Sequence, residues 1–388
     1  MLIAALFPLL LLISVCPFIY LLIALYSAWD FFGNSRQSAP SPAFTPPVSI
    51  LKPVRGVDPD AYENFASFCR QDYPEYEMVF CIGAHDDPVF PVIEKLRQDF
   101  PERDIRVLYG SERAAANDKV AKLARLSNEA KYEHLVISDS DVRVRPDYLR
   151  QIVAQLASPE IGAVTCLYVS THDNSVVERL QTIGMISDFY AGLLVARKLD
   201  GVKFALGPTI ATTRTRLAEF GGYQRIENQP ADDLLVGRLI SERGYEIQLS
   251  PYTVETVADY ASLKDLMQKR MRWLVVMRHM RPWGHLGLLF TNPLPWVILH
   301  LFLNPLSWTA AAFLVAYLAL RLALTWTIGA WGLKRPDTWH KLFLVPAWDA
   351  AAFCMWIASF ARNTVKWRGG EYLIRDGVLV PAASSSGR

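Results

Sequence analysis

Charge is absent from residues 2–27 and scarce over 286–361, whereas 34–283 mixes polar and apolar residues as an ordinary soluble domain does. That segregation constrains the architecture most. Each apolar block is long enough to cross roughly 30 Å of hydrocarbon as a helix. The chain therefore reads as a soluble domain held between membrane segments. With 388 residues, 52% of them hydrophobic, it can bury a core, which excludes disorder. Forty Lys+Arg against 38 Asp+Glu leave a net charge of +2, without the basic excess of a nucleic-acid binder. The five cysteines, Cys16, Cys69, Cys81, Cys166 and Cys354, show no metal or disulfide spacing and read as small apolar side chains.

Residues 1–30 are expected to form an N-terminal anchor around Leu2–Tyr26. The run lacks a basic leading region and is longer than the apolar region of a cleaved signal peptide. A Ser- and Pro-rich linker, 31–47, follows. Within 286–361, Leu306–Trp331 and Leu342–Phe360 read as full spans, while Asn292, Pro293 and Pro295 break Leu286–Leu303. Two or three spans are expected there, then a polar tail over 362–388. Loop charges leave the topology open. Arg321 and Asp349 fall inside the last two spans, and buried membrane charges pair, so a bridge between them is expected.

The span 48–260 alternates short β-branched runs with helical patterns. Strands are expected at Val48–Leu51, Met78–Ile82, Ile105–Tyr109 and Leu135–Ser138, with helices near Asp60–Arg70, Pro91–Asp99, Lys119–Ala130 and Asp147–Ala157. This is an α/β pattern with a mostly parallel sheet covered on both faces. Ligands in such sheets bind beyond the carboxyl ends of the strands.

Three acidic clusters fall at such ends. His85-Asp86-Asp87 follows the second strand, and its plainer reading is a solvated helix start. Ser138-Asp139-Ser140-Asp141 leaves a buried strand, and carboxylates at i and i+2 there can converge on Mg2+ or Mn2+ together with phosphate oxygens. Asp232-Asp233 opens a helix running to Arg243 and reads either as a cap or as a general base. Lys119, in Asn117-Asp118-Lys119, either reaches a phosphate or is solvated surface. Finally, Leu263–Trp283 interleaves Lys264, Lys269, Arg270, Arg272, Arg278 and Arg281 with aliphatic residues and Trp273. Residues 261–285 suit an interfacial helix with cations toward head groups, and the same arginines suit a diphosphate clamp.

Taken in order, these pieces resemble the ceramide glucosyltransferase family, glycosyltransferase family 21. The opening Ser49-Ile50-Leu51-Lys52-Pro53-Val54-Arg55-Gly56-Val57-Asp58-Pro59 carries the likeness, with Gln71-Asp72-Tyr73-Pro74, His85-Asp86-Asp87-Pro88, Asn117-x-Lys119, Ser138-Asp139-Ser140-Asp141-Val142-Arg143-Val144, Asp232-Asp233 and Arg272-Trp273. It covers about 45–283 and the membrane layout.

The resemblance implies a GT-A fold, with a Rossmann-like mixed sheet that binds a nucleotide sugar, and inverting transfer of one sugar from UDP to a lipid hydroxyl. It maps nucleoside contact to Asp87, metal and diphosphate to Asp139 with Asp141, and the base to Asp233. Lys119 and Arg272 would bind the nucleotide sugar, and Trp273 and Asp232 would face the acceptor. The cofactor implied is a divalent cation, and the partners are a UDP-sugar, a bilayer lipid and the membrane, with no protein partner inferable. Lys269 replaces the usual Gln or Arg that opens the Arg-Trp motif, which keeps charge but loses the planar fork. Asp141 completes a motif in which animal members carry Gly, which points to a bacterial branch and to an inner-membrane protein with its catalytic domain facing the cytoplasm. Ceramide is the expected acceptor. A hopanoid polyol receiving a glucosaminyl or other sugar is the alternative, and a processive polysaccharide synthase or a non-catalytic lipid-binding scaffold are the rivals.

Overall fold

The computed structural model describes residues 2–34, 44–110, 115–171, 173–257, 262–367, 370–375 and 377–381. The strands along the chain are β1 (Val48–Pro53), β2 (Tyr76–Ile82), β3 (Asp104–Tyr109), β4 (His134–Ile137), β5 (Val142–Arg143), β6 (Ile161–Ser170), β7 (Ile210–Thr213), β8 (Glu246–Thr256), β9 (Thr364–Trp367), β10 (Gly370–Arg375) and β11 (Val378–Pro381). The helices begin with α1 (Leu2–Asn34), α2 (Ala61–Cys69), α3 (Phe90–Asp99), α4 (Asp118–Glu129), α5 (Tyr148–Val153), α6 (Val176–Gly184) and α7 (Tyr190–Asp200). They continue with α8 (Arg214–Glu219), α9 (Asp232–Ser241), α10 (Leu263–Met280), α11 (Pro282–Gly287), α12 (Leu294–Leu303), α13 (Trp308–Trp326) and α14 (Val345–Ser359).

One compact unit, Ser38–His172 with Val202–Asp259 and Arg375–Arg388, is built on an eight-stranded sheet of order β3-β2-β1-β4-β7-β6-β8-β5. All six residues of β1 and all seven of β2 are buried. A strand covered on both faces carries a continuous apolar run rather than alternation, which is how these strands read in the sequence. Ile50, Met78 and Phe80 pack with Phe65 and Phe68 of α2, Ile93 of α3, and Tyr148 and Ile152 of α5. Each such burial contributes about 1.5–3 kcal/mol.

The expected parallel pairing holds for β3-β2-β1-β4. The rest of the sheet is mixed. β7 runs antiparallel to β4 and β6, and β5 antiparallel to β8, while β6 and β8 are parallel. Parallel neighbours need a covering crossover. Residues 173–201, between β6 and β7, belong to the other unit, so β7 enters through the turn at 204–209 instead. Because β1, β2 and β4 are parallel, the loops 54–60, 83–89 and 138–141 leave the sheet at one edge. The antiparallel β7 starts at that edge, with Ile210 opposite Ile137.

The other unit comprises Met1–Gln37, Asp173–Gly201 and Tyr260–Ile374. Three of its helical stretches, Pro8–Asn34, Trp308–Gly332 and Pro336–Ser359, are long and apolar enough to cross a membrane. Pro282–Phe290 and Leu294–Leu303 form a pair bent by 49° around the break foreseen at Asn292–Pro293. Residues 31–34, expected in the linker, instead prolong α1, where Asp30 pairs with Arg197 and Lys198 of α7. The expected bridge is present: Arg321 Nη2 lies 2.5 Å and Nε 2.9 Å from the carboxylate of Asp349, which also accepts from Tyr317 at 3.0 Å.

The basic segment Leu263–Trp283 is not one helix, because α10 ends at Met280 and Pro282 starts α11. Two of its arginines depart from the head-group expectation. Arg270 is buried between the rings of Trp273 and Trp348 and donates to Gln181. Arg278 donates to the carbonyls of Ser359 and Arg362. The polar tail is partly folded, with β9 pairing antiparallel to β10.

Candidate functional site

The site is assembled at the edge where β1, β2 and β4 end. Asn117 caps α4 by accepting from the amide of Val120, and its own side-chain amide donates to the carbonyl of Gln229. This local geometry aims the next turn, and hence Lys119, inward. Lys119 Nζ lies 2.7 Å from Asp139 Oδ1 and 3.1 Å from Asp232 Oδ2. Burial alone would lower its proton affinity, but Asp139, Asp232 and Asp233 outweigh burial, so the ammonium is held charged.

Asp233 is at the N-terminus of α9, after Ala231 in the left-handed region at φ 57°. A non-glycine residue there stores about 1 kcal/mol of strain, a common feature of functional turns. Asp233 Oδ2 accepts from the amide of Gly207 at 3.0 Å and Oδ1 from the amide of Leu234 at 2.8 Å. Burial, then the charge of Asp232, raises its carboxyl to about 6.

Gly207 joins the two halves. A Cβ on it would lie 3.0 Å from Asp139 Oδ2, 3.4 Å from Asp233 Oδ2 and 3.6 Å from Lys119 Nζ. Asp139, Asp233 and Lys119 therefore surround one backbone position. Asp87 is fixed separately at the end of β2, accepting from the amides of Gly56 and Val89, each at 3.1 Å. Beside it His85 stacks on Tyr109 with centroids 3.7 Å apart. The main-chain carbonyl of Asp141 accepts from Val257. Arg272 and Trp273 lie on α10, in the other unit, where Trp273 meets Phe189 at 5.7 Å between centroids.

Among the described residues, no group of three or more His, Cys, Asp or Glu side chains is arranged to hold a metal ion. The donors expected from the sequence are the two carboxylates Asp139 and Asp141. That set suits a hard cation such as Mg2+, which takes one or two carboxylates and fills its remaining positions with water and substrate phosphate.

Three residues of the site were not picked out in the sequence as part of it. Lys52, fully buried in β1, donates to Ser138 Oγ at 3.1 Å and to the carbonyl of Asp139 at 2.9 Å. Its burial lowers it to about 7 despite Asp139, Asp141 and Asp58. A lysine inside an apolar strand was the available signal. Asp58 accepts from Ser140 Oγ. Tyr223 is buried with a hydroxyl that has no hydrogen-bond partner among the described residues, and burial with the charge of Asp232 holds its proton tightly.

The profile described as "Glycosyl transferase family 21" matches residues 9–380. Ceramide glucosyltransferase 3 of Caenorhabditis elegans is 24% identical over 268 residues, covering 69% of this chain and 58% of that protein. The ceramide glucosyltransferase of Komagataella phaffii is 33% identical over 132 residues, 32% of this chain and 26% of that one. The chain thus spans little more than half the length of the first of these relatives. A mannosyltransferase from Pyrobaculum calidifontis, PcManGT, solved in complex with GDP-Man and Mn2+, superposes with a TM-score of 0.51 at 23% identity, covering 90% of this chain and 99% of that chain. The likeness shows a GT-A fold.

Proposed function

This chain belongs to glycosyltransferase family 21, and from that premise we propose that it transfers one sugar from a UDP-sugar to the hydroxyl of a membrane lipid, a ceramide, with inversion at the anomeric carbon. The names of the relatives support the acceptor class. The observation that carries the reading is the posture of Asp233. Two backbone amides hold its oxygens beside Asp139 and Lys119, and its proton affinity is raised into the range of a working base.

The step is a single displacement. The acceptor oxygen attacks the anomeric carbon as the bond from that carbon to the diphosphate oxygen breaks, and the hydroxyl proton passes to Asp233. UDP leaves with the bonding electrons. Lys119 turns its ammonium from Asp139 to a diphosphate oxygen, a charge-assisted contact. When bound at Asp139 and Asp141, a divalent cation neutralises charge gathering on the leaving group. Asp232 holds Lys119 in place, and Asp87 faces the nucleoside. Arg272 and Trp273 take, by resemblance alone, the diphosphate and acceptor roles. We place the protein in a bacterial inner membrane with the unit built on the sheet facing the cytoplasm.

Asp233→Asn tests the assignment. Transfer is expected to fall by about three orders of magnitude or more, because the base is lost. Affinity for the nucleotide sugar stays within a few-fold, measured by calorimetric titration. Near-normal turnover in that variant contradicts the role.

A further inference from the structure

The segment Lys52–Asp60 carries much of the sequence likeness yet takes no part in the displacement. We propose that Lys52 and Asp58 are positioning residues that frame the Ser138–Asp141 turn and hold Asp139 and Asp141 in register for a divalent cation and diphosphate. The proposal deepens the reading of that turn as the metal and diphosphate holder, and rests on it.

Between Asp139 and Asp141 stands Ser140, nine-tenths buried, and its hydroxyl donates to Asp58. The turn is gripped from behind as well. Lys52 lies fully buried over the ring of Phe68, 3.5 Å from its centroid, and donates to Ser138 Oγ and the carbonyl of Asp139. Burying an ammonium is costly unless its donors are satisfied. Two of those donors end on the turn. The segment is itself braced. Lys122 Nζ donates to the carbonyl of Val54 at 2.9 Å, Gly56 N donates to Asp87, and Arg143, just past the turn, donates to Asp60 at 3.0 Å. One stretch of chain thus fixes the supports of two acidic clusters.

Framing and simple charge predict opposite results. Lys52→Met removes a positive charge beside the carboxylates, so charge alone tightens Mn2+ binding, whereas loss of the frame weakens it. Asp58→Asn keeps an acceptor for Ser140 but loses the charge, and Asp58→Ala loses both. The full-length protein in detergent is titrated with Mn2+ alone by electron paramagnetic resonance. Amide hydrogen exchange of a peptide spanning 138–142 is followed separately without metal. Lys52→Met and Asp58→Ala are expected to weaken Mn2+ binding about tenfold, as loss of a supporting partner does. Exchange in the turn rises about tenfold, the equivalent of one lost hydrogen bond. Asp58→Asn stays within about twofold of wild type on both readouts, since its acceptor is retained. Tighter Mn2+ binding by Lys52→Met, equal losses in the two Asp58 variants, or unchanged exchange overturns the proposal. The exchange readout needs neither metal nor substrate. A wild-type protein that transfers no sugar therefore refutes the catalytic reading and leaves the frame to be decided by exchange. If Lys52→Met does not fold, the Asp58 pair decides it.

Discussion

Lys119 stands between Asp139 and Asp232 and keeps their charges from repelling each other. Lys119→Met removes that counter-charge and the proposed diphosphate contact together. The Michaelis constant for the donor is expected to rise at least about tenfold, the scale of a charge-assisted hydrogen bond, while kcat falls less. A donor Michaelis constant unchanged in that variant would place Lys119 outside the binding site. As the proposed base, Asp233 gives a pH signature. Burial and the charge of Asp232 raise its carboxyl to about 6, and a base acts only when ionised. Activity is therefore full above that value and falls as pH drops through it. The profile of kcat/KM should lose about tenfold per pH unit below about 6. A flat profile from pH 5 to 7, measured under donor-limited conditions, contradicts the assignment.

Among the elements, the turn before β7 is the most exacting. A methyl on Gly207 would press tightly on oxygens of Asp139 and Asp233, at 3.0 and 3.4 Å from its Cβ. Gly207→Ala is expected to cut turnover at least about tenfold, because small displacements of reacting groups are that costly. Its melting temperature should stay close to wild type, and intact activity would show that the turn yields. The Arg321–Asp349 bridge makes a stability prediction. Asp349→Ala strands a buried guanidinium and is expected to cost about 3–5 kcal/mol, read as faster thermal inactivation in detergent. The paired exchange Arg321→Met with Asp349→Ala should recover much of that loss.

The elements also show what a sequence discloses. β1, β2 and β4 were legible because strands buried on both faces are mostly apolar rather than alternating, and the acidic clusters because they follow such strands directly. The direction of β7 was not, since it depends on where the chain returns after 173–201. Lys52 and its partner Ser138 are 86 positions apart, so no local pattern announced that contact. The arginines of α10 show the opposite failure. Their spacing with aliphatic residues suited an interface, but Arg270 and Arg278 have partners 89 and 81 positions away that draw them inward.

At the scale of the whole molecule, segregated charge was the informative feature. It separated a unit with helices long enough to cross a membrane from a unit built on a sheet, and the near-zero net charge is the sum of the two. The proposed lipid glycosylation would draw on both, because the donor is water-soluble and the acceptor is not. The most direct test is product analysis by mass spectrometry. The purified full-length chain is incubated with Mn2+, a panel of UDP-sugars, and ceramide, diacylglycerol or hopanoid polyol. One sugar added to ceramide, with inverted configuration and lost in Asp233→Asn, is the predicted result. A polymeric product, or no sugar transferred to any lipid, would contradict the account.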